Sequence, residues 1–170
     1  MFTFNESIYL RELSKEEFRE LTHDANESSI VASLKQYQAN ELKEFEQRIQ
    51  ALIEEYVSPA RWFGLYDDKT YIGYISFCEY ECPTPEIQIE IHENYQNRGI
   101  GYAALSFLMA EIFRQRADIE YFLYRVRVDN GASIKLVEKL GGQWIKKGDF
   151  VEKIIRKYHI SRDSFTFNLK

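Results

Sequence analysis

Glu86-Ile87-Gln88-Ile89-Glu90-Ile91-His92-Glu93-Asn94-Tyr95-Gln96-Asn97-Arg98-Gly99-Ile100-Gly101-Tyr102-Ala103 is the stretch from which the rest of the chain can be read. Its first six residues alternate strictly, three isoleucines against three polar side chains, the pattern of a strand with one face in a core. Residues 96–103 then place two glycines ahead of a run in which Leu105, Leu108, Met109, Ile112 and Phe113 recur at helical spacing. Glycines there let the backbone turn tightly so that several N–H groups converge, and the positive end of the following helix dipole reinforces them. The segment predicts a pocket for a diphosphate.

Working outward, Tyr121 to Val128 reads as a further strand, so the region is a strand, loop, helix, strand unit. Asp129 or Asn130 can cap a helix carrying Ile134, Val137 and Leu140, which stops at Gly141-Gly142, where positive φ is needed. Two alternating runs in the tail, Lys153 to Ile160 and Ser164 to Leu169, read as strands. Toward the N-terminus, Arg61 to Tyr66 and Tyr71 to Tyr80 are aromatic and β-branched runs around Asp67-Asp68-Lys69-Thr70, which predicts a hairpin. Ser7 to Leu13 reads as a strand, and Ser14-Lys15-Glu16-Glu17 has the S-x-x-E spacing of a capping box that starts a helix near Lys15. From Glu41, the residues Leu42, Phe45, Ile49, Leu52, Ile53 and Tyr56 form one stripe of a longer helix. The whole of 1–170 reads as a single mixed α/β domain, mostly antiparallel, with one parallel crossover.

Composition narrows the function. Lys plus Arg number 22 against 27 Asp plus Glu, a net charge of −5, the wrong sign for a protein that wraps nucleic-acid backbone. Hydrophobic residues at 45% and aromatics at 15% exclude a disordered chain. No run approaches the roughly 18 apolar residues of a membrane span. The start Met1-Phe2-Thr3-Phe4-Asn5-Glu6 lacks a basic, then apolar leader, so a cytoplasmic protein without nucleic-acid or membrane partners is expected. Cys78 and Cys82 are too few for a disulfide framework or a zinc site, and His23, His92 and His159 lack ligand spacing, so no metal is expected.

Gly99-Ile100-Gly101-Tyr102-Ala103-Ala104 also matches the dinucleotide fingerprint G-x-G-x-x-A, with Asp118 and Glu120 about 20 residues on. Seven residues, His92 to Arg98, separate its first glycine from the strand, and fewer than 70 residues follow it; both count against that reading. The fuller pattern at 89–102 instead resembles the acetyl-coenzyme A signature of the GNAT superfamily of N-acetyltransferases, Q/R-x-x-G-x-G/A. Asp129-Asn130-Gly131-Ala132-Ser133-Ile134-Lys135-Leu136-Val137-Glu138-Lys139-Leu140-Gly141-Gly142 looks like its second signature, an N-x-x-S-I helix ending in E-K-x-G-F. Glu86 stands where the branch resembling ribosomal-protein N-terminal acetyltransferases has the glutamate of E-I-G-Y-W-L. The resemblance implies a GNAT fold, an α/β architecture with a central mixed, mostly antiparallel sheet of six to seven strands and four helices.

It also implies acetyl-CoA as cosubstrate and transfer of its acetyl group to a primary amine, on a small molecule or a protein N-terminus, by direct attack in a ternary complex. By that resemblance the backbone of Ile89 and Ile91 would pair with the pantetheine arm. The segment Gln96, Asn97, Arg98, Gly99, Ile100, Gly101 and Tyr102 would cradle the pyrophosphate, Asn130 would contact the pantetheine, and Ser133 would lie near the sulfur. Amine attack needs a base, a donor to the developing oxyanion such as the Ile91 amide, and a proton for the leaving thiolate. Glu86 is the expected base, with Glu90 as the alternative, and Ser133 the expected acid, with Tyr124 or Tyr158 behind it. Val137 stands where many members have a proton-donating tyrosine, and Arg125 where some have a glutamate. These departures motivate the alternative of a non-catalytic acyl-CoA-binding sensor. Lys146-Lys147 and Arg156-Lys157 read as solvated basic pairs, with contact to the 3′-phosphate of coenzyme A as the alternative, and Glu16, Glu17, Glu20, Glu41, Glu44, Glu46, Glu54 and Glu55 as either a rim for a cationic acceptor or the outer face of amphipathic helices. The chain is expected to be a monomer or a homodimer paired through strands of its tail.

Overall fold

The computed structural model describes residues 2–3, 7–22, 60–146 and 154–165. Eight strands form one sheet. In chain order they are β1 (Phe2–Thr3), β2 (Ile8–Leu13), β3 (Arg61–Asp67), β4 (Thr70–Cys78), β5 (Glu86–Ile91), β6 (Tyr121–Arg127), β7 (Gln143–Trp144) and β8 (Ile155–Ser161), and in space β1-β2-β3-β4-β5-β6-β8-β7. The expected six to seven strands are exceeded because β1 and β7, at two residues each, are too short to show any period. All neighbours are antiparallel except β5 and β6, the one parallel pair.

Three α-helices are described: α1 (Lys15–Thr22), α2 (Ile100–Gln115) and α3 (Gly131–Lys139). The fourth expected helix, at 41–56, lies outside the described residues, as do Lys147, His23 and the run beyond Phe165. The start of that last run is a turn rather than a strand, because Ser164 and Ser161 bond to one another through Oγ and main chain.

Local chemistry sets each boundary. Ser14 Oγ accepts from Glu17 N at 3.1 Å while Glu17 Oε2 accepts from Ser14 N at 2.9 Å, the reciprocal capping box that opens α1. Asp67 pairs with Thr70, leaving Asp68-Lys69 as a two-residue turn with Asp68 at φ 52°. At the start of α3 it is Asn130, not Asp129, that caps: its Oδ1 accepts from Ser133 N at 3.0 Å, and Asp129 pairs with Arg127. Gly141 ends α3 at φ 89°.

The two faces of the sheet differ. On one, α2 buries Ala104, Leu105, Leu108, Met109, Ile112 and Phe113 against Phe63, Leu65, Ile75, Phe77 and Phe122, with Phe113 edge-on to Phe122 at 4.7 Å. On the other, α1 sets Phe18 against Trp62 at 5.4 Å and edge-on to Tyr74 at 5.0 Å. Strand alternation therefore sends Ile87, Phe122, Tyr124 and Val126 to the α2 face, and Glu86, Gln88, Glu90 and Arg125 to the α1 face.

One glycine holds β4 against β5. Gly73 lies opposite Ile91 at φ 150°, and a Cβ there would meet Glu90 O at 2.2 Å and Ile91 Cα at 2.9 Å. Neither contact is with a flexible side chain, so the backbone itself has to move. Gly73→Ala is expected to destabilise the fold by about 2 to 4 kcal/mol. Denaturant unfolding checks this, and a midpoint equal to the wild type's would show that the strands are not held at this distance.

Candidate active site

β5 and β6 share only the rungs Glu86↔Leu123 and Ile87↔Tyr124, with Leu123 N donating to Pro85 O at 2.9 Å. Beyond Ile87 the two strands part. His92 N donates to Ile72 O at 2.8 Å, which sets the phase of the β4–β5 ladder. Even-numbered residues of β5 therefore exchange hydrogen bonds with β4, while Ile89 and Ile91 turn their main-chain groups toward β6. β6 offers no rung to meet them. The result is a gap, edged by main-chain donors and acceptors, at the carboxyl ends of two parallel strands, the place where open α/β sheets take ligands. Gln96 Nε2 donates to Ile91 O at 2.8 Å, so this side chain fixes the loop to the strand end and leaves the Ile91 N–H facing the gap.

The loop above the gap is shaped for an anion. Glu93–Tyr95 form a short 3-10 turn, and Asn97 at φ 60° and Gly99 at φ 77° flank Arg98 with left-handed backbone, a pattern that makes successive N–H groups converge. A Cβ at Gly99 would have nothing within 4 Å, so the mouth of the loop is open. Arg98, exposed and over the Tyr95 ring at 5.2 Å, adds a cation. Ile100 is buried, and a Cβ on Gly101 would lie 3.3 Å from both Ile89 Cδ1 and Ile91 Cδ1, so the first turn of α2 rests directly on β5. Lys139 Nζ sits 4.0 Å from the Tyr102 ring, tying α3 to that same turn. Convergent amides, a helix N-terminus and an open approach fit a diphosphate. Unpaired strand edges beside them fit the amide-bearing arm of coenzyme A.

At the apex of the gap, two groups lie on opposite faces. Tyr124, buried on the α2 face, has its hydroxyl 2.7 Å from Ser133 Oγ in the first turn of α3. Burial pushes the phenol's proton affinity up, with the serine bond acting the other way. Glu86, on the α1 face, is 18% exposed and lies 3.2 Å from Arg125 Nη2. Burial raises its carboxyl above the usual range, Arg125 opposes that, Glu79 adds to it and Lys157 opposes it more weakly. Glu90 is exposed beside Tyr74, whose hydroxyl is pushed up to about 12 by burial and that carboxylate.

Other expected residues fall elsewhere. Tyr158 is fully buried and donates to Glu138 Oε1 at 3.2 Å, a packed ring with a satisfied hydroxyl. Val137 is fully buried core. Lys146 and Arg156 are not merely solvated: they stand over the Trp144 ring at 4.5 and 4.3 Å. Sequence reading missed the Glu86–Arg125 pair, because strand register brings those two residues together. It also missed the role of Gly73, although a lone glycine inside a β-branched and aromatic run does signal close backbone approach.

Comparison with known proteins agrees with this geometry. Residues 7–143, well over half the chain, match the family model of the acetyltransferase (GNAT) domain. A search of curated proteins finds no match. Among solved structures, spermidine N-acetyltransferase from Vibrio cholerae in complex with CoA and spermine shares 21% identity over 94% of this chain and 98% of its own, with a TM-score of 0.63. The ribosomal L7/L12 alpha-N-protein acetyltransferase RimL in complex with coenzyme A shares 18% identity over 94% and 97%, with a TM-score of 0.61. At such identities the neighbours establish the fold, and the family match establishes the rest: this chain belongs to the GNAT family of acetyl-CoA-dependent N-acetyltransferases.

Proposed function

We propose that residues 1–170 act as one catalytic domain that acetylates a primary amine by direct attack in a ternary complex, with Glu86 as base and Ser133, backed by Tyr124, as proton source. The two-faced apex carries this reading. Glu86 precedes the last β5–β6 rung on the α1 face, and Tyr124 belongs to that rung on the α2 face. An amine arriving from the α1 side meets the carboxylate, while a thiolate leaving on the α2 side meets the hydroxyl pair.

Acetyl-CoA supplies an activated acyl group, and the chain supplies position and protons. The Ile89 N–H, turned into the gap and about 10 Å of strand from Glu86, is the donor for the developing oxyanion; the expected Ile91 N–H lies about 16 Å from Glu86, too far for a base one water away. Glu86, lifted above the ordinary carboxylate range, is closer to the pH at which a base works, and a water can relay the amine's proton to it. Ser133 Oγ gives a proton toward sulfur and draws one from the Tyr124 hydroxyl at 2.7 Å, and the phenolate takes a proton back from solvent through Ser133 once CoA has left. That pair takes over the task for which many relatives use a tyrosine at the place of buried Val137. The family assignment and these paired groups disfavour a module that only senses the cofactor.

Glu86→Gln should lower kcat by roughly 10²- to 10³-fold with acetyl-CoA affinity unchanged by calorimetry. In the wild type, kcat should climb with pH as Glu86 loses its proton, with a midpoint above the ordinary value of about 4.3. A pH limb that survives in Glu86→Gln assigns the base elsewhere. Ser133→Ala and Tyr124→Phe should each cost about tenfold in kcat. Because they form one relay, the double variant should be no worse than the weaker single, and multiplied losses would mean two independent groups.

A further inference from the structure

The acceptor end of the site carries charge of both signs, sorted across the sheet. Glu79 follows β4, Glu86 lies on β5, Arg125 on β6, and Lys157 is Arg125's register partner on β8. Glu86 responds to all three of the others, and Arg125 is within 3.2 Å of it. The carboxylates lie on the β4–β5 side and the cations on the β6–β8 side, with strands spaced at about 4.8 Å. Arg125 is also the first β6 residue beyond the last rung with β5, so its side chain stands beside the apex of the gap on the α1 face. It is 46% exposed. Its ion pair with Glu86 joins Nη2 to Oε2, and a guanidinium has five N–H donors, enough to hold a second carboxylate as well.

We propose that the acceptor is itself of both signs, an amino acid or similar amino-carboxylic acid whose amine faces Glu86 and whose carboxylate is held by Arg125 with Lys157 behind it. The inference rests on the reading of Glu86 as the base at the acceptor end. A polyamine would place cations against Arg125 and Lys157 and is disfavoured by the same strip. Of the α1 carboxylates, Glu17 is bound to Arg11 at 2.6 Å. On binding, the acceptor's carboxylate competes for Arg125, which loosens the cation's hold on Glu86 just when a base is wanted.

The test uses the full chain with acetyl-CoA and three probe sets: the free amino acids, the matching amino-acid amides, and spermidine. The wild type should favour at least one free acid over its amide by about tenfold or more in kcat/KM, with the difference mainly in KM. Arg125→Gln should bring that ratio to within about threefold, Lys157→Gln should lower it partway, and Arg125→Lys should keep part of it. The ratio cancels any general effect of Arg125 on Glu86. Calorimetric titration of the protein–CoA complex with the same acids and amides gives a readout without turnover and should show the same preference. Turnover of spermidine or amides in preference to every free acid overturns the proposal and leaves the acetyltransferase reading intact. Retention of the acid preference in Arg125→Gln also overturns it. Binding of acetyl-CoA with no transfer to any probe, and no acid binding to the CoA complex, overturns both.

Discussion

Everything in this molecule that bears on chemistry depends on how far β5 and β6 stay paired. Two rungs, Glu86 with Leu123 and Ile87 with Tyr124, hold them together, and then the ladder stops. A parallel pair left open exposes main-chain donors and acceptors that an ordinary fold would not leave unmet. Here the exposed groups are the N–H and C=O of Ile89 and the N–H of Ile91, the Ile91 carbonyl being taken by Gln96 Nε2, and the first turn of α2 is seated on both side chains through Gly101. The gap is therefore held open by packing on one side and by the close approach of Gly73 to Glu90 and Ile91 on the other.

In the proposed mechanism the same splay separates the two proton tasks. Strand alternation places consecutive side chains on opposite faces, so Glu86 and Tyr124 flank the last rung without meeting each other. Their environments differ accordingly: Glu86 is kept beside Arg125 and near Lys157, whereas Tyr124 is sealed in the core with Ser133 as its hydroxyl partner. An acidic chain can still present a site shaped for a polyanion here, because that site is built from amides and one arginine rather than from overall charge.

The legible parts of the sequence were those with local causes. Strict alternation at 86–91, the capping box at Ser14 and Glu17, the αL glycines at 99 and 141 and the Asn130 cap each follow from a few neighbouring residues. Long-range register was not legible. Nothing local says that Arg125 will lean onto Glu86, that Tyr158 will spend its hydroxyl on Glu138 while Tyr124 keeps Ser133, or that Gln96 will turn back onto Ile91 O. The edge strands β1 and β7 escaped for a simpler reason, since two residues have no period.

The central claim is that the opening between β5 and β6, roofed by the Gly99–Gly101 turn, is where acetyl-CoA binds. Calorimetric titration of the wild type and of Gly101→Leu with acetyl-CoA tests it most directly, with unfolding midpoints recorded for both. A leucine at Gly101 has to displace Ile89 and Ile91, which lie 3.3 Å from the added Cβ. The account predicts micromolar or tighter binding by the wild type and at least about tenfold weaker binding by a folded Gly101→Leu protein. Equal binding by the two, or no binding by the wild type, would contradict it.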